Sequence, residues 1–235
     1  MPVSLILPCY NPQQGWEIVV CTEYRQLLLQ TGEVIELILV LDGVSKTVTE
    51  QSLFELKKEI PDIKYIQYPG NRGKGFATRA GVSAASGDII LYTDVDFPYT
   101  VASICEVYNA LKNNTCDVAA GVKNDAYYKL VPAMRRIISR MLRWLISMLL
   151  SMPLTDTQCG LKGMRKAAKA TFLNTKINRY LFDLEFIYSC YRSGNISVKA
   201  IPVVLKEDVR FRSMNYRILL PEMVNFLKLV WNKGR

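Results

Sequence analysis

The chain has 235 residues, half of them apolar, and its 30 lysine and arginine residues outnumber 21 acidic residues to give a net charge of +9. This length favours one α/β domain with a sizeable core, and the charge favours a polyanionic partner: nucleotide phosphates, nucleic acid or an anionic membrane surface. The sequence contains no histidine, which excludes sites built on imidazole and leaves oxygen ligands and fixed charges.

The chain begins with "MPVSLILPCY", which has neither a basic n-region nor a long apolar stretch, so we expect no targeting signal here. The six cysteines along the chain form no CxxC pair. This pattern favours a reducing, cytosolic compartment and a protein without structural disulfides.

Apolar runs alternate with helical patterns along the first half of the chain. Short β-rich runs typical of strands buried on both faces lie at 3–7, 36–41, 63–68, 88–93 and 116–122. Helical patterns lie between them, at 15–30, 47–59, 74–85 and 98–112. The alternation predicts a mostly parallel sheet with helices on both faces, and ligands at the carboxyl ends of its strands.

The first two predicted strands end in polar residues. The segment "LPCYNP" (7–12) places Pro8, Tyr10 and Asn11 where the chain leaves the sheet, and it is either an ordinary turn or part of a ligand site. Asp42, at the end of the second strand, either accepts a hydrogen bond from a base imide N–H or orders the turn with Gly43.

The segment "YPGNRGKGFATRAG" (68–81) follows the third strand and precedes a helix. Its glycines surround Arg72 and Lys74, so the loop could place backbone amides and positive charge against a diphosphate. The glycine spacing fits neither a Walker A loop nor a dinucleotide-binding fingerprint. The alternative is a glycine-rich turn with solvated basic residues.

Two carboxylates, Asp94 and Asp96, follow the fourth strand in "LYTDVDFPY" (91–99). Residues two apart in an extended strand point the same way, so we expect both carboxylates on one side of the sheet edge. Oxygen ligands without imidazole suit Mg²⁺ or Mn²⁺, with substrate phosphates completing the coordination shell. Together with the basic loop, the pair predicts a nucleotide-diphosphate site.

A second cationic cluster lies in "GVKNDAYYKLVPAMRRIISRMLRWL" (121–145), which supplies Lys123, Arg136 and Arg140 for an acceptor phosphate. A predicted helix at about 132–152 places the arginines on one stripe beside a broad apolar face. It is too short and too charged to span a bilayer, so it either lies in a membrane interface or is a buried amphipathic helix.

After a last predicted strand in "VKAIPVVLKED" (198–208), residues 210–235 form a basic amphipathic helix pattern. This helix sits at a bilayer surface, packs on the catalytic domain or mediates a homo-oligomer.

The motifs "LPCYNP", "LVLDGVS", "NRGKGFATRAG" and "YTDVDF" resemble the donor half of glycosyltransferase family 2, which has the GT-A fold with a Rossmann-like central sheet. Downstream, "TDTQCGLKGMRK" (155–166) and "RYLFDLEFIYSC" (179–190) resemble more narrowly the polyprenyl- and dolichyl-phosphate glucosyltransferase branch, related to dolichyl-phosphate mannose synthases. The resemblance spans roughly residues 3–206.

The resemblance implies roles for individual residues. On the donor side, residues after the first strand would border the nucleotide, and the acid after the second strand would face its base. Residues in the loops after the third and fourth strands would approach the diphosphate, the sugar and the metal. The implied donor residues are Pro8, Tyr10, Asn11, Asp42, Arg72, Lys74, Asp94 and Val95, with Asp96 as metal ligand. Asp156 would orient the acceptor or assist proton transfer, unless it caps a turn, and Asp183 is a second possible base, unless it caps a helix.

We therefore expect residues 1–209 to form a GT-A domain, with a donor half (1–122) and an acceptor half (123–209), followed by the helix of 210–235. The expected activity is inverting, metal-dependent transfer of a hexose, glucose from UDP-glucose, to a polyprenyl or dolichyl phosphate on the cytoplasmic face of a membrane. The alternatives are GDP-mannose as donor, a saccharide hydroxyl as acceptor, and a non-catalytic nucleotide-binding membrane adaptor. Nucleic acid is excluded as a partner because no RNP or helix-turn-helix signature is present.

Overall fold

The computed structural model describes residues 1–123, 133–207, 209 and 218–231. The strands in these ranges are β1 (Val3–Cys9), β2 (Ile35–Asp42), β3 (Lys64–Tyr68), β4 (Ile89–Tyr92), β5 (Val118–Lys123), β6 (Lys162–Arg165) and β7 (Val198–Val203). The helices are α1 (Trp16–Thr31), α2 (Glu50–Glu59), α3 (Lys74–Ala84), α4 (Val101–Lys112), α5 (Ala133–Leu145), α6 (Lys166–Leu173), α7 (Phe182–Ser193) and α8 (Leu219–Trp231), and α5 continues as a π-helical turn over Ile146–Leu150.

The strands form one seven-stranded sheet in the order β3-β2-β1-β4-β6-β5-β7. Among the described strands only β6 runs antiparallel to its neighbours, β4 and β5. The predicted mostly parallel α/β sheet is therefore confirmed. Sequence pattern did not indicate β6, because this strand is only four residues long and is not an apolar run.

Helices cover both faces of the sheet because the strand side chains are buried on both faces. Leu5 and Leu7 of β1 pack into one hydrophobic cluster with side chains of α1, α2 and α4. Ile6, between them in sequence, packs into the other cluster with side chains of α3, α6, α7 and α8. Alternate residues of one strand thus serve two cores, as expected for a sheet between helical layers.

Capping residues fix where two helices begin, later than the apolar pattern predicts. Thr49 accepts a hydrogen bond from the amide of Ser52 at 3.1 Å, so α2 begins at Glu50. Thr100 accepts from the amide of Ser103 at 3.3 Å, so α4 begins at Val101 and leaves Pro98 in the preceding loop. The predicted starts at 47 and 98 are wrong, because Thr49 and Thr100 cap the two helices and each helix begins at the residue after its cap.

The ranges 1–122 and 123–209 share one sheet, since β6 lies between β4 and β5. The helix predicted at 132–152 corresponds to α5 and its π-helical turn. Within 210–235, α8 packs Phe226 and Leu229 against the core, whereas 210–217 and 232–235 lie outside the described residues. None of the helices in the described ranges has the length and apolar content that crossing a membrane requires.

Glu36 ties three strands together at the edge opposite the carboxyl ends. Its carboxylate accepts hydrogen bonds from the hydroxyl of Ser4, the ammonium of Lys64 and the amide of Ser86, the last at 2.9 Å. Burial alone would raise the pKa of Glu36, but these donors outweigh it and lower the pKa to about 2.

We predict that Glu36→Gln lowers the free energy of unfolding at pH 7 by roughly 1–2 kcal/mol after allowance for solvent screening. Because the folded pKa is depressed, the carboxylate's contribution is complete above the ordinary value of 4.5 and is lost as pH falls towards about 2. Urea unfolding from pH 7 to 3 should therefore show the two proteins converging. Glu59→Gln, which removes only an exposed pair with Arg25, is the control, and a gap independent of pH would contradict the prediction.

Candidate active site

A cleft of about 700 Å³ opens at the carboxyl ends of the parallel strands and at the start of the antiparallel β6. Its volume is in the range of ordinary small-molecule sites. Residues that the sequence predicted for the site and that line this cleft are Pro8, Tyr10, Asp42, Lys74, Asp94, Val95, Asp96 and Lys123. Predicted residues that lie outside its lining are Asn11, Arg72, Arg136, Arg140, Asp156 and Asp183.

Asp42 holds the glycine-rich loop in place. Its two carboxylate oxygens accept hydrogen bonds from the side-chain amide of Asn71 at 2.9 Å, the backbone amide of Arg72 at 2.7 Å and that of Gly73 at 3.0 Å. These contacts set the entry into α3 and therefore the position of Lys74, the first residue of that helix. Both oxygens are engaged within the loop, although the residue also borders the cleft.

Lys74 and Asp94 form an ion pair across the cleft, with Nζ and Oδ1 2.5 Å apart. Burial alone would lower the pKa of Lys74, but the carboxylates of Asp94 and Asp183 outweigh it and raise the pKa above its ordinary value. Gly160 packs directly against this pair, since a Cβ at that position would lie 2.3 Å from Asp94 Oδ2. A side chain at Gly160 would therefore displace Asp94.

Asp94 and Asp96 lie in a turn after β4, so the extended-strand argument for their common direction is wrong. The amide of Phe97 donates to the carbonyl of Asp94 at 3.0 Å, and Phe97 has a φ of 42°. The turn nevertheless leaves both carboxylates in the lining of the cleft. It also ends β4 at Tyr92.

The donor set of this turn fits a divalent cation that takes few protein ligands. No group of three or more acidic or cysteine side chains lies close enough within the described ranges to bind a metal alone. Asp94 is paired with Lys74, and Asp96 is exposed to solvent in the lining of the cleft. Mg²⁺ characteristically binds one or two carboxylates and completes its shell with water and substrate phosphates, which this arrangement allows.

Asp156 is paired with Lys123 beside the cleft. Its Oδ2 accepts from the backbone amide of Lys123 at 2.7 Å, and its Oδ1 lies 3.7 Å from the Lys123 ammonium. The ammonium also donates to the carbonyl of Gln158 at 3.2 Å. Asp156 is buried, so it holds the end of β5 and aims Lys123 into the cleft.

Asp183 lies beneath the cleft in a buried ion pair. Its Oδ1 accepts from the hydroxyl of Tyr92 at 2.7 Å and lies 3.1 Å from the ammonium of Lys162, whose side chain is 0% exposed. Burial and the charge of Asp183 raise the pKa of Tyr92, which therefore stays protonated. Asp183 is in the first turn of α7 but does not cap it, since the N-cap position is Leu181.

The remaining predicted cations lie elsewhere. Arg72 stacks on Phe76, with its guanidinium carbon 3.6 Å from the ring centroid. Arg136 and Arg140 are on α5, and residues 124–132, which connect that helix to Lys123, lie outside the described residues.

Two cleft residues, Arg179 and Tyr180, were missed by the sequence reasoning. They precede α7 within "RYLFDLEF", the segment in which the sequence analysis identified Asp183 as the candidate site residue. No spacing pattern could have identified them, because only tertiary packing of the loop at 174–181 brings them to the cleft.

Comparison with known proteins gives one family and a consistent group of relatives. The sequence model described as glycosyl transferase family 2 matches residues 4–172. A dolichyl-phosphate beta-glucosyltransferase of Trichomonas vaginalis is 25% identical over 87% of this chain, and the human dolichyl-phosphate beta-glucosyltransferase is 28% identical over 79%. The chain spans 66% and 62% of the lengths of these two curated relatives.

Among solved structures, glucosyl-3-phosphoglycerate synthase from Mycobacterium tuberculosis, in complex with Mn²⁺, uridine diphosphate and phosphoglyceric acid, superimposes with a TM-score of 0.64. The match covers 93% of this chain and 73% of that one at 14% identity. This likeness shows that the fold is the GT-A fold predicted from the motifs.

We predict that Asp183→Asn destabilises the protein by about 3–5 kcal/mol, because it leaves the Lys162 ammonium buried without its carboxylate. Thermal and urea unfolding would measure this loss. Asp62→Asn, at an exposed position, is the control and should leave stability unchanged. If Asp183→Asn kept normal stability and lost only turnover, Asp183 would be a base rather than a structural partner of Lys162.

Proposed function

Because the chain belongs to glycosyl transferase family 2, we propose that it is an inverting, metal-dependent hexosyltransferase acting on a polyprenyl or dolichyl phosphate. In the proposed reaction a phosphate oxygen of the lipid attacks C1 of glucose in UDP-glucose, the bond from C1 to the diphosphate breaks, and UDP leaves. The names of the relatives support the glucosyl group and the dolichyl-phosphate acceptor.

The observation that carries the proposal is the state of the carboxylates around the cleft. In the described part of the chain the acids that line it are Asp42, Asp94 and Asp96, and the first two are held by the glycine-rich loop and by Lys74. Asp156 is held by Lys123, and Asp183 by the fully buried Lys162. A hydroxyl acceptor needs a general base, whereas a phosphate monoester is already largely a dianion at neutral pH. The site therefore favours a phosphate acceptor.

Each side of the cleft has a proposed task. Pro8 and Tyr10 border the nucleotide, and Lys74, held by Asp94, lies against its diphosphate. Asp96 would hold the Mg²⁺ or Mn²⁺, which when bound supplies Lewis-acid stabilisation of the leaving diphosphate. Lys123, aimed by Asp156, would bind the acceptor phosphate.

Exposed apolar side chains on two helices support a site at a membrane surface. On α5 they recur at helical spacing, at Met134, Ile137, Met141, Trp144 and Met148 of the helix and its π-helical turn. On α8 they recur at Leu220, Met223, Val224, Leu227 and Trp231. Apolar stripes in a chain of net charge +9 suit the interface of an anionic bilayer. We place the reaction on the cytoplasmic face, where the six free cysteines stay reduced.

The proposal predicts turnover when UDP-glucose is incubated with a short-chain polyprenyl phosphate and Mn²⁺, measured as glucosyl-lipid formed. GDP-mannose and a saccharide acceptor without phosphate should give little product.

Asp96→Asn should abolish turnover at every Mn²⁺ concentration while unfolding as the wild type does, because the amide keeps the shape and loses the ligand charge.

Three results would contradict this function. Turnover with GDP-mannose alone would overturn the choice of donor, and turnover with a neutral saccharide alone would overturn the phosphate acceptor. Nucleotide binding without transfer to any acceptor would identify a binding protein.

We further predict that Trp144→Glu weakens binding to vesicles containing anionic lipid by about tenfold or more, because a buried aromatic contributes about 1.5–3 kcal/mol. Co-sedimentation with vesicles would measure it. Phe54→Glu is the matched control, since Phe54 is equally exposed but lies on α2, and it should leave vesicle binding unchanged. An equal loss of vesicle binding in both variants would contradict the prediction, because it would show that the added negative charge alone weakens binding.

A further inference from the structure

The loop at 174–181, between α6 and α7, reaches the cleft, and none of its residues has a role in the reaction proposed above. Its last residues place Arg179 and Tyr180 in the lining, and both side chains are exposed. An exposed arginine at the rim of a cleft is ordinarily solvated and mobile. The backbone of this loop is instead held from three directions.

Three side chains from three helices bind the loop backbone. Arg79 of α3 donates to the carbonyl of Ile177 at 2.7 Å, and Glu185 of α7 accepts from the amide of the same residue at 2.7 Å. Glu222 of α8 accepts from the amide of Tyr180 at 3.2 Å and is itself buried. Hydrogen bonds to charged groups are stronger than neutral ones, so Arg179 extends from a fixed backbone.

The fixed loop packs against the glycine-rich loop of the donor side. The amide of Phe76 donates to the carbonyl of Asn178 at 3.2 Å. A Cβ at Gly73, whose φ is 101°, would lie 2.5 Å from that carbonyl oxygen and 3.3 Å from Arg179 Cγ. The stem of Arg179 therefore lies beside Gly73, the residue directly before Lys74, on the donor side of the cleft.

The basic side chains at the cleft differ in how far neighbouring carboxylates compensate their charge. Among the described residues, the basic side chains that line the cleft are Lys74, Lys123 and Arg179. Lys74 and Lys123 are each paired with an aspartate, so their charges are largely compensated. Across the described ranges no carboxylate lies within the 4.0 Å ion-pair distance of Arg179. Of the described cations at the cleft, Arg179 therefore offers a bound diphosphate the least compensated positive charge.

We propose that Arg179 is a binding residue for the diphosphate of the nucleotide donor. The proposal rests on the function proposed above and assigns a phosphate contact to a residue outside the glycine-rich loop. The planar guanidinium can donate two parallel hydrogen bonds to phosphate oxygens, which a lysine ammonium cannot reproduce. The hydrogen bonds that Arg79 donates to the loop backbone, and that Glu185 and Glu222 accept from it, fix the backbone from which Arg179 extends before the donor arrives.

The test compares UDP with uridine, which shares the base and ribose and lacks the diphosphate. By calorimetry in buffer containing Mg²⁺, Arg179→Gln should weaken UDP binding by about tenfold to a hundredfold, since hydrogen bonds to a charged group are lost. Uridine binding should be unchanged. Arg179→Lys should recover part of the lost affinity, because lysine restores the positive charge but cannot donate the two parallel hydrogen bonds of a guanidinium.

Arg25→Gln removes the same charge from an exposed surface pair on α1 and should bind UDP as the wild type does. Because Arg179 has no ion pair in the described part of the chain, its variants should unfold at the wild-type temperature. Equal UDP affinity in Arg179→Gln and the wild type would overturn the proposal. A rise in the KM for polyprenyl phosphate alone would also overturn it, by moving Arg179 to the acceptor side.

These outcomes differ from failure of the proposed function itself. If the wild type did not distinguish UDP from uridine, the cleft would have no diphosphate site and both proposals would fall. If the wild type preferred UDP and the Arg179 variants kept that preference, only the role of Arg179 would be wrong.

Discussion

The buried ion pair between Lys162 and Asp183 is the interaction on which the cleft depends. Lys162 lies at the start of β6 and Asp183 in the first turn of α7, so the pair joins the antiparallel strand to the helical layer beneath it. The same ammonium donates to the carbonyl of Cys159, and the next residue, Gly160, contacts Asp94. The geometry at the rim is therefore set by a buried pair of charges.

Much of this site could be predicted because it follows a rule of topology. The carboxyl ends of parallel strands meet at one edge of the sheet, so Pro8, Asp42, Asp94 and Lys123, each at or just after the end of a predicted strand, had to come together. Their residue types then limited the chemistry to phosphates and a hard cation. Local pattern was sufficient for this part.

The partners of the downstream acids could not be predicted. Asp156 pairs with Lys123 and Asp183 with Lys162, and no periodicity connects residues so far apart in sequence. Without its partner, each aspartate has the sequence features of a catalytic base, whereas the structure surrounds each with donors. The loop that places Arg179 in the cleft escaped sequence reasoning for the same reason, since its position depends on contacts with three separate helices.

Glu222 gives α8 two roles at once. Its carboxylate accepts from the amides of Tyr180 and Leu181, while apolar side chains of the same helix face outward. A displacement of α8 would leave two amides without an acceptor and remove one of the three side chains that hold the cleft loop. Glu222 thus connects the outer face of the helix to the rim of the cleft: if binding at that face changes the affinity of the cleft for a ligand, the ligand changes the affinity of the face by the same factor.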